Sequence, residues 1–398
     1  MRIASLVFRF LVVAVALVST LSAAAQQYGV SHGPYLQGLD YDGVTVVFTT
    51  SQNGFSKVEV RKKGAAQSTI FDSRKDGLIM ADNTHNVIHI ENLEPATEYE
   101  YRIVSKRVEK FQPYKVTFGE DYTSPWYSFS TFDPAAREFK FIATNDIHED
   151  AAKCGKLLDK HPLAEADMVF YVGDMINHFH SPEQPYKGFI DISVEKFAKH
   201  KPFAVVRGNH ETRGALARTY DKYIHNTREG KYYAFYTFGS TAVIMLDSGE
   251  DKPDSHEVYA GFTAFDDYRL EQVEWLKKVV KSKEFRRARN RIVMLHIPPA
   301  VEAMKSGYDA KVIDDMLAWH GNKHWGEIVL PVLNGAGIDL MISAHQHSYH
   351  LIQPIKGANS FPILINDNKS SMYVVSNDEG VGVRVVNVDG KELLNHTF

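Results

Sequence analysis

Side chains that bind metals or move protons follow five apolar segments in the second half of the sequence. Each segment has the composition of a β-strand, and the polar residues come directly after it. Because residues just past the carboxyl ends of strands in an open α/β sheet gather in one crevice, we expect them to converge. The groups are Asp146 and His148 in FIATNDIH, Asp174 and Asn177 in VFYVGDMIN, Asn209, His210 and Glu211 in AVVRGNHE, His296 in VMLH, and His345 and His347 in LMISAHQH.

The residue types indicate the chemistry of this crevice. Carboxylate, amide carbonyl and imidazole groups bind Mn, Fe, Zn or Co, and the thiolates of a structural zinc site are missing. Seven such groups exceed what one ion uses when it also binds water and substrate, so two ions fit better: Asp146, His148, Asp174, Asn209, His296, His345 and His347.

Asp174 and the His-x-His pair have specific expected roles in a two-metal site. Two ions about 3.5–4 Å apart need a shared anion, and the middle carboxylate, Asp174, is its natural supplier. Successive side chains of extended chain diverge, so His345 and His347 can each hold a different ion. Alone, DIH, GD or a single histidine after a strand is more often an ordinary cap or turn, and only GNHE is suggestive by itself. Their recurrence after five strands favours a metal centre.

Composition limits the class of protein. A chain of 398 residues with 44% apolar and 24% charged residues is globular and long enough for two domains. Its formal net charge of -4 indicates a surface that does not collect nucleic acid. The single cysteine, Cys154, cannot form an internal disulfide, and we expect it to be buried as a small apolar residue.

Residues 1–25 are predicted to be a secretory signal peptide. Arg2 and Arg9 flank an early apolar stretch, FLVVAVALVSTL follows, and Ala23-x-Ala25 offers a cleavage site. The alternative is a membrane anchor, but the apolar run is short for a spanning helix of about 20 residues. We therefore expect a periplasmic or secreted protein with no membrane association after cleavage. The sequence makes no prediction of oligomeric state.

Residues 26–134 are predicted to form an all-β sandwich. Short segments with alternating apolar residues, such as GVTVVFTT and KVEVRKKG, recur without any helical period. In LEPATEYEYRI a Pro turn precedes a strand with Tyr99 and Tyr101, where a tyrosine hydroxyl can bond to the backbone just upstream. This tyrosine corner resembles a fibronectin type III module. The alternative is an unrelated hairpin with an aromatic face.

Residues 138–398 are predicted to form an α/β layered domain, joined to the sandwich by the polar linker DPAARE. Strands alternate with helical segments, and the tail has the pattern of antiparallel strands. The clearest helix is TAFDDYRLEQVEWLKKVVKSKEF, which we expect to open with Thr263 as N-cap and Asp266 three residues later.

The ordered motifs resemble those of the calcineurin-like metallophosphoesterases. DIH, GDMIN, GNHE, His296 and AHQH match the family series DxH, GDxx, GNH(D/E), H and GHxH over about residues 139–350. With the N-terminal sandwich, the layout resembles that of the purple acid phosphatases. The resemblance implies a layered β-sandwich flanked by helices, with two metal ions. It assigns Asp146, His148, Asp174 and His347 to one ion, Asp174, Asn209, His296 and His345 to the other, and His210 to the substrate.

Two positions depart from the purple acid phosphatase pattern. Asn177 stands where those enzymes have the tyrosine that binds ferric iron and gives their colour, and His148 supplies an imidazole that their first motif lacks. We therefore predict a colourless enzyme that does not require ferric iron. The metal pair is left among Mn, Fe and Zn.

The resulting hypothesis is a secreted or periplasmic phosphoesterase, most simply a phosphomonoesterase. In this hypothesis a metal-bridging hydroxide attacks phosphorus, and His210 protonates the leaving group or stabilises charge on it. Asn177 is expected to orient His210, and Arg213 to clamp the phosphate unless it forms a surface salt bridge instead. Residues 247–261 are expected to overhang the cleft. The alternatives are a phosphodiesterase or nucleotide hydrolase, and a non-catalytic binding protein with a relic α/β domain.

Overall fold

A computed structural model describes residues 27–227 and 229–398. The predicted signal peptide, residues 1–25, lies outside the described residues. In the described part of the chain, no helix is long and apolar enough to cross a membrane.

The N-terminal region is built of strands alone. The pattern of β2 explains why: Val58 and Val60 are buried while Glu59 between them is partly exposed. Tyr99 makes the predicted corner contact, since its hydroxyl accepts a 2.8 Å hydrogen bond from the backbone N–H of Glu94. The strands are β1 (Val30–Gln37), β2 (Val44–Lys62), β3 (Thr69–Phe71), β4 (Arg74–Lys75), β5 (Leu78–Ile79), β6 (Asn83–Ile90), β7 (Glu98–Gln112), β8 (Lys115–Thr123) and β9 (Tyr127–Ser130).

Long strands organise this region. β2 pairs with β1, β3, β6 and β7, and β7 pairs with β8 and β9, so one hydrogen-bonded network connects seven strands. Their apolar faces enclose a core that includes Phe48, Tyr101 and Ile103. The region also packs on the rest of the chain, because the hydroxyl of Tyr101 donates to the carbonyl of Lys199.

The rest of the chain contains two six-stranded sheets. Their orders are β12-β11-β10-β19-β20-β21 and β13-β14-β15-β16-β18-β17. The strands are β10 (Phe139–Thr144), β11 (Met168–Val172), β12 (Phe203–Val206), β13 (Ala234–Phe238), β14 (Thr241–Leu246), β15 (Asn290–Leu295), β16 (Leu340–Ser343), β17 (His350–Ile352), β18 (Ile363–Ile365), β19 (Ser370–Asn377), β20 (Gly380–Asn387) and β21 (Glu392–Thr397).

Helices cover the outer faces of the two sheets. One apolar core, which includes Phe170 and Met294, lies between the sheets, and two further cores lie between a sheet and its helices. This arrangement is the predicted layered β-sandwich flanked by helices, and Cys154 is buried as expected. The α-helices are α1 (Ala151–Leu158), α2 (Asp191–Ser193, flanked by π-helical turns Tyr186–Ile190 and Val194–Ala198), α3 (Phe265–Val279), α4 (Lys283–Arg287), α5 (Ala310–Leu317) and α6 (His320–Leu333).

The predicted start of α3 is wrong. The helix begins at Phe265 and its N-cap is Ala264, so Thr263 does not cap it. Instead the carboxylate of Asp254 accepts hydrogen bonds from the backbone N–H groups of Phe265 (2.8 Å) and Asp266 (2.9 Å). A side chain from the preceding loop therefore satisfies two of the free donors of the first turn.

Candidate metal centre

Parallel strands bring the polar segments to one end of the two sheets. In the first sheet β10 is parallel to β11, and β11 to β12; in the second β15 is parallel to β16. The loops that follow them are bonded to one another: the N–H of His148 donates to the carbonyl of Asp174 (3.0 Å), and the N–H of Ala344 to that of His296 (2.9 Å). The convergence expected from strand ends is therefore present.

The backbone at this end of the sheets is unusual. Five of the predicted ligands have φ between 48° and 71°, in the left-handed region that side chains other than glycine seldom occupy: Asp146, His148, Asp174, His345 and His347. Each such residue costs free energy of about 1–3 kcal/mol and persists where the surroundings hold it. Sharp turns there point successive polar side chains into one space.

The first group of donor atoms comes from Asp146, His148 and His347. The Nε2 of His347 lies 3.1 Å from Oδ1 of Asp146 and 3.2 Å from Nε2 of His148. Burial opposes ionisation of Asp146, but hydrogen bonds with the two histidines outweigh it and hold the pKa of Asp146 well below its ordinary value. An ionised carboxylate beside two imidazoles suits one divalent cation.

The second group comes from Asp174, His296 and His345, whose donor atoms all lie within 4.8 Å of one another. His296 is fully buried, and its Nδ1 lies 2.7 Å from the carbonyl of Val172. That contact turns Nε2 toward Asp174, as is usual for a metal-binding histidine. Burial lowers the pKa of His345 to about 4, so its imidazole is neutral and able to bind a metal.

Two buried polar atoms near this group lack a hydrogen bond of good geometry among the described residues. They are Oδ1 of Asn209 and Nε2 of His296, which faces Oδ2 of Asp174 at 3.1 Å. Buried polar atoms are nearly always satisfied, so each needs another partner, and both are of a type that binds a cation. The loop after β12 also lies very close to Asp174, because a Cβ added at Gly208 would be 2.2 Å from Oδ1 of Asp174. The residues therefore fit a metal ion.

His210 lies beside both groups. Its ring stands at 81° to that of His148, with the centroids 4.8 Å apart, and its Nε2 lies 3.9 Å from Oδ2 of Asp174. Its backbone N–H donates to Oδ1 of Asp174 (2.9 Å). Burial is the main cause that lowers the pKa of His210 below its ordinary value.

Asn177 contacts His210 through its main chain. The Nδ1 of His210 lies 2.6 Å from the carbonyl oxygen of Asn177. The amide side chain of Asn177 instead donates to the carbonyl of His148 (3.1 Å). The position therefore orients His210, but the contact uses an atom that any residue would supply.

Arg213 is already engaged by two carboxylates. Its Nη2 lies 2.8 Å from Oε2 of Glu250 and 3.1 Å from Oδ2 of Asp251, while Nη1 lies 3.3 Å from Nε2 of His210. These contacts are those of the alternative salt bridge, although it is half-buried rather than at the surface. A phosphate-binding role for Arg213 stays a prediction, with Nη1 as the donor nearest the centre.

Glu211 supports the centre; the sequence placed it in the converging set without giving it a specific role. Its buried carboxylate accepts hydrogen bonds from the backbone N–H groups of Asp174 (3.0 Å), Met175 (2.6 Å) and Gly208 (2.8 Å). Burial and the neighbouring Asp174 raise the pKa of Glu211 to about 7. Glu211 thus ties the loop after β11 to the loop after β12. The only signal in the sequence was its place directly after His210.

Residues 247–261 border a cavity next to Arg213. The first part of this segment is packed into the protein, since Asp247, Ser248 and Glu250 are buried. The later part carries Val258 and Tyr259 along the cavity, whose volume is about 630 Å³. The segment therefore forms a wall of the cavity beside Arg213, and its overhang of the metal cleft stays a prediction.

Comparison with known proteins gives the family. The family model described as calcineurin-like phosphoesterase matches residues 139–349. The chain belongs to this family, whose members are metal-dependent phosphoesterases with a binuclear metal centre. No curated protein matches the sequence.

Two solved structures share the fold over most of the chain. The purple acid phosphatase PPD1 from seeds of yellow lupin (Lupinus luteus) has a TM-score of 0.64 at 14% identity, over 92% of this chain and 73% of that one. A structure named PhoD has a TM-score of 0.57 at 14% identity, over 92% of each chain. The predicted family and fold class are confirmed.

Proposed function

We propose that this phosphoesterase is a secreted or periplasmic enzyme that hydrolyses phosphate monoesters. The observation that carries the proposal is the division of six donors into two adjoining groups, one around Asp146 and one around Asp174. With Asn209 they make the seven ligands predicted from sequence. A relic that only binds would be expected to have lost at least one of the seven residue types, and the sequence keeps them all.

Each group would hold one cation, and Asp174 would be shared. Asp146, His148 and His347 are the ligands on one side, and His296, His345 and Asn209 on the other. Bound there, two cations act as Lewis acids and lower the pKa of a bound water from 15.7 to about 7. Mn, Fe and Zn suit this set of nitrogen and oxygen donors. Asn177 in place of a phenolate supports a colourless enzyme.

His210 would move the proton at the leaving group. Nδ1 is engaged by the carbonyl of Asn177, so Nε2, which lies 3.3 Å from Nη1 of Arg213, is the nitrogen that would carry the proton for the leaving oxygen. Such a group contributes typically 100- to 10,000-fold to the rate. Arg213 is proposed to steady the phosphate through Nη1, with Glu250 and Asp251 fixing its guanidinium.

A substrate pair tests the preference for monoesters. Protein reconstituted with Mn²⁺ or Zn²⁺ is assayed on p-nitrophenyl phosphate and on its bis ester. We expect a higher kcat/KM for the monoester. The control variant Asp389→Ala, which changes an exposed carboxylate, should show the same preference as the wild type. A higher kcat/KM for the diester would contradict the proposed substrate class.

Export is tested separately. Expression of the full chain, followed by N-terminal sequencing of the exported protein, should give Gln26 as the first residue. An intact Met1 on an unexported protein would contradict a cleaved signal peptide.

A further inference from the structure

A third set of metal-binding side chains lies outside the centre described above. Asp266, in the first turn of α3, faces His320 and His324 of α6, and their donor atoms all lie within 4.8 Å of one another. Oδ1 of Asp266 lies 2.8 Å from Nε2 of His320 and 3.0 Å from Nδ1 of His324. Three donors of the kind that zinc prefers thus meet at one point.

The spacing of the two histidines suits a metal. Residues four apart on a helix lie on one face, which is how paired histidines bind zinc from a single helix. Here the two rings are 5.3 Å apart and tilted by 34°. Asp266 comes from a different helix, so a bound ion would join the starts of α3 and α6.

The surroundings allow a fourth ligand and limit the choice of metal. The side chains of Asp266 and His320 are 35% and 32% exposed, which leaves room for water. Two features repel a cation at this point. They are the positive ends of the two helices and the guanidinium of Arg269, whose Nη1 lies 2.7 Å from Oδ1 of Asp266. A metal must therefore bind imidazole strongly, as Zn²⁺ does and Mg²⁺ and Ca²⁺ do not.

We propose that Asp266, His320 and His324 form a third, structural zinc site. It stands apart from the catalytic centre and does not rest on the proposed function. Its role follows from the segment that both helices bind. Arg269 of α3 donates a hydrogen bond to the carbonyl of Ser248 (3.0 Å), and the N–H of Gly321 in α6 donates one to the carbonyl of Asp251 (2.9 Å). The ion would fix both helices behind the segment that carries the partners of Arg213.

Zinc stoichiometry tests the proposal. The full chain is stripped with a chelator, incubated with Zn²⁺, desalted and measured for zinc and protein. We expect three ions per chain for the wild type, two for His320→Ala and His324→Ala, and three for His396→Ala, a control histidine exposed on β21. Circular dichroism confirms that each variant is folded. Equal zinc content in the wild type and in the His320 and His324 variants, at any total, would overturn the proposal, whereas a difference of one ion supports it even if the other centre is incompletely filled.

A second measurement covers the case in which the alanine variants do not fold. Asp266→Asn keeps the shape of the side chain and removes its charge, and we expect it to bind one zinc ion fewer. Wild-type crystals grown with Zn²⁺ and measured at the zinc edge should show an anomalous peak among the three side chains. Absence of that peak would mean that Asp266 and the histidines form only a hydrogen-bonded cluster.

Discussion

Nε2 of His296 lies 3.1 Å from Oδ2 of Asp174, and both side chains are buried. Burial alone would lower the pKa of His296, but the Asp174 carboxylate raises it to about 10. The carboxylate thus favours a positive charge next to it, which a bound cation supplies. Oδ1 of the same carboxylate accepts the N–H of His210. Asp174 therefore links the proposed metal ligands to the proposed acid.

Asp174→Ala should abolish turnover while the protein stays folded. A metal pair held by Asp174 would stabilise the transition state by several kcal/mol. Because the variant loses the shared ligand, kcat should fall by at least about 100-fold. Metal content measured on the desalted variant should fall as well. Wild-type activity in Asp174→Ala would refute the bridging assignment, and Asp389→Ala controls for loss of an exposed carboxylate.

His210→Ala should lower kcat by about 100- to 10,000-fold, because it removes the group proposed to protonate the leaving oxygen. The loss should be larger for an alkyl phosphate than for p-nitrophenyl phosphate, since p-nitrophenolate leaves without a proton. Rates on both substrates give the comparison. An equal loss on the two would show that His210 acts in some other way.

Asn177→Ala should reduce kcat by less than about 10-fold. His210 is held by the backbone carbonyl of residue 177, and alanine keeps that carbonyl. The variant loses only the amide contact with the carbonyl of His148, a hydrogen bond worth about 1 kcal/mol. A loss as large as that of His210→Ala would mean that the amide itself binds substrate.

Glu211→Ala should destabilise the fold and weaken metal binding together. Its carboxylate is the acceptor for the N–H groups of Asp174, Met175 and Gly208, and each buried donor left without a partner costs about 1–3 kcal/mol. Urea unfolding measures the stability, and metal titration the affinity, which should fall about 10- to 100-fold. Glu211→Gln, which keeps one acceptor oxygen, should lose less. Equal stability of both variants and the wild type would contradict this role.

The pH dependence of stability should include a term from His161, which lies outside the centre. Burial lowers the pKa of His161 from 6.5 to about 4. Between these pH values the unfolded chain binds a proton that the folded protein does not. Above pH 6.5 His161 therefore does not lower the free energy of unfolding. As the pH falls from 6.5 to 4, it lowers the free energy of unfolding by up to about 3 kcal/mol.

Replacement of His161 isolates this term. The free energy of unfolding of His161→Gln, measured in urea at several pH values, should fall less steeply below pH 6.5 than that of the wild type. Any loss of metal in acid affects both proteins and cancels in the difference. His396→Gln, at an exposed position, should follow the wild type. Parallel curves for His161→Gln and wild type would rule out the contribution.

The sequence was sufficient to predict which polar residues the fold brings together because each of them follows an apolar strand. Strand direction places Asp146, Asp174 and His296 at one end of the sheets, without knowledge of any long-range contact. The chemistry of the ligands then follows from residue type alone. The layered fold was predictable for the same reason, since strand and helix patterns alternate along the chain.

Contacts made by loops were not predictable in this way. Thr263 has the right spacing for an N-cap, but Asp254 takes that place because the preceding loop folds back on α3. Likewise, Arg213 meets Glu250, which is 37 residues away, only because residues 247–261 are packed into the protein. The order of residues also does not reveal whether Asn177 acts through its side chain or its main chain.

Two cations are proposed to share Asp174, and anomalous diffraction at the manganese edge from crystals grown with Mn²⁺ locates them. We expect two peaks about 3.5–4 Å apart, one beside Asp146, His148 and His347, the other beside Asn209, His296 and His345, with Asp174 in contact with both. A single peak, or two peaks of which only one contacts Asp174, would contradict it.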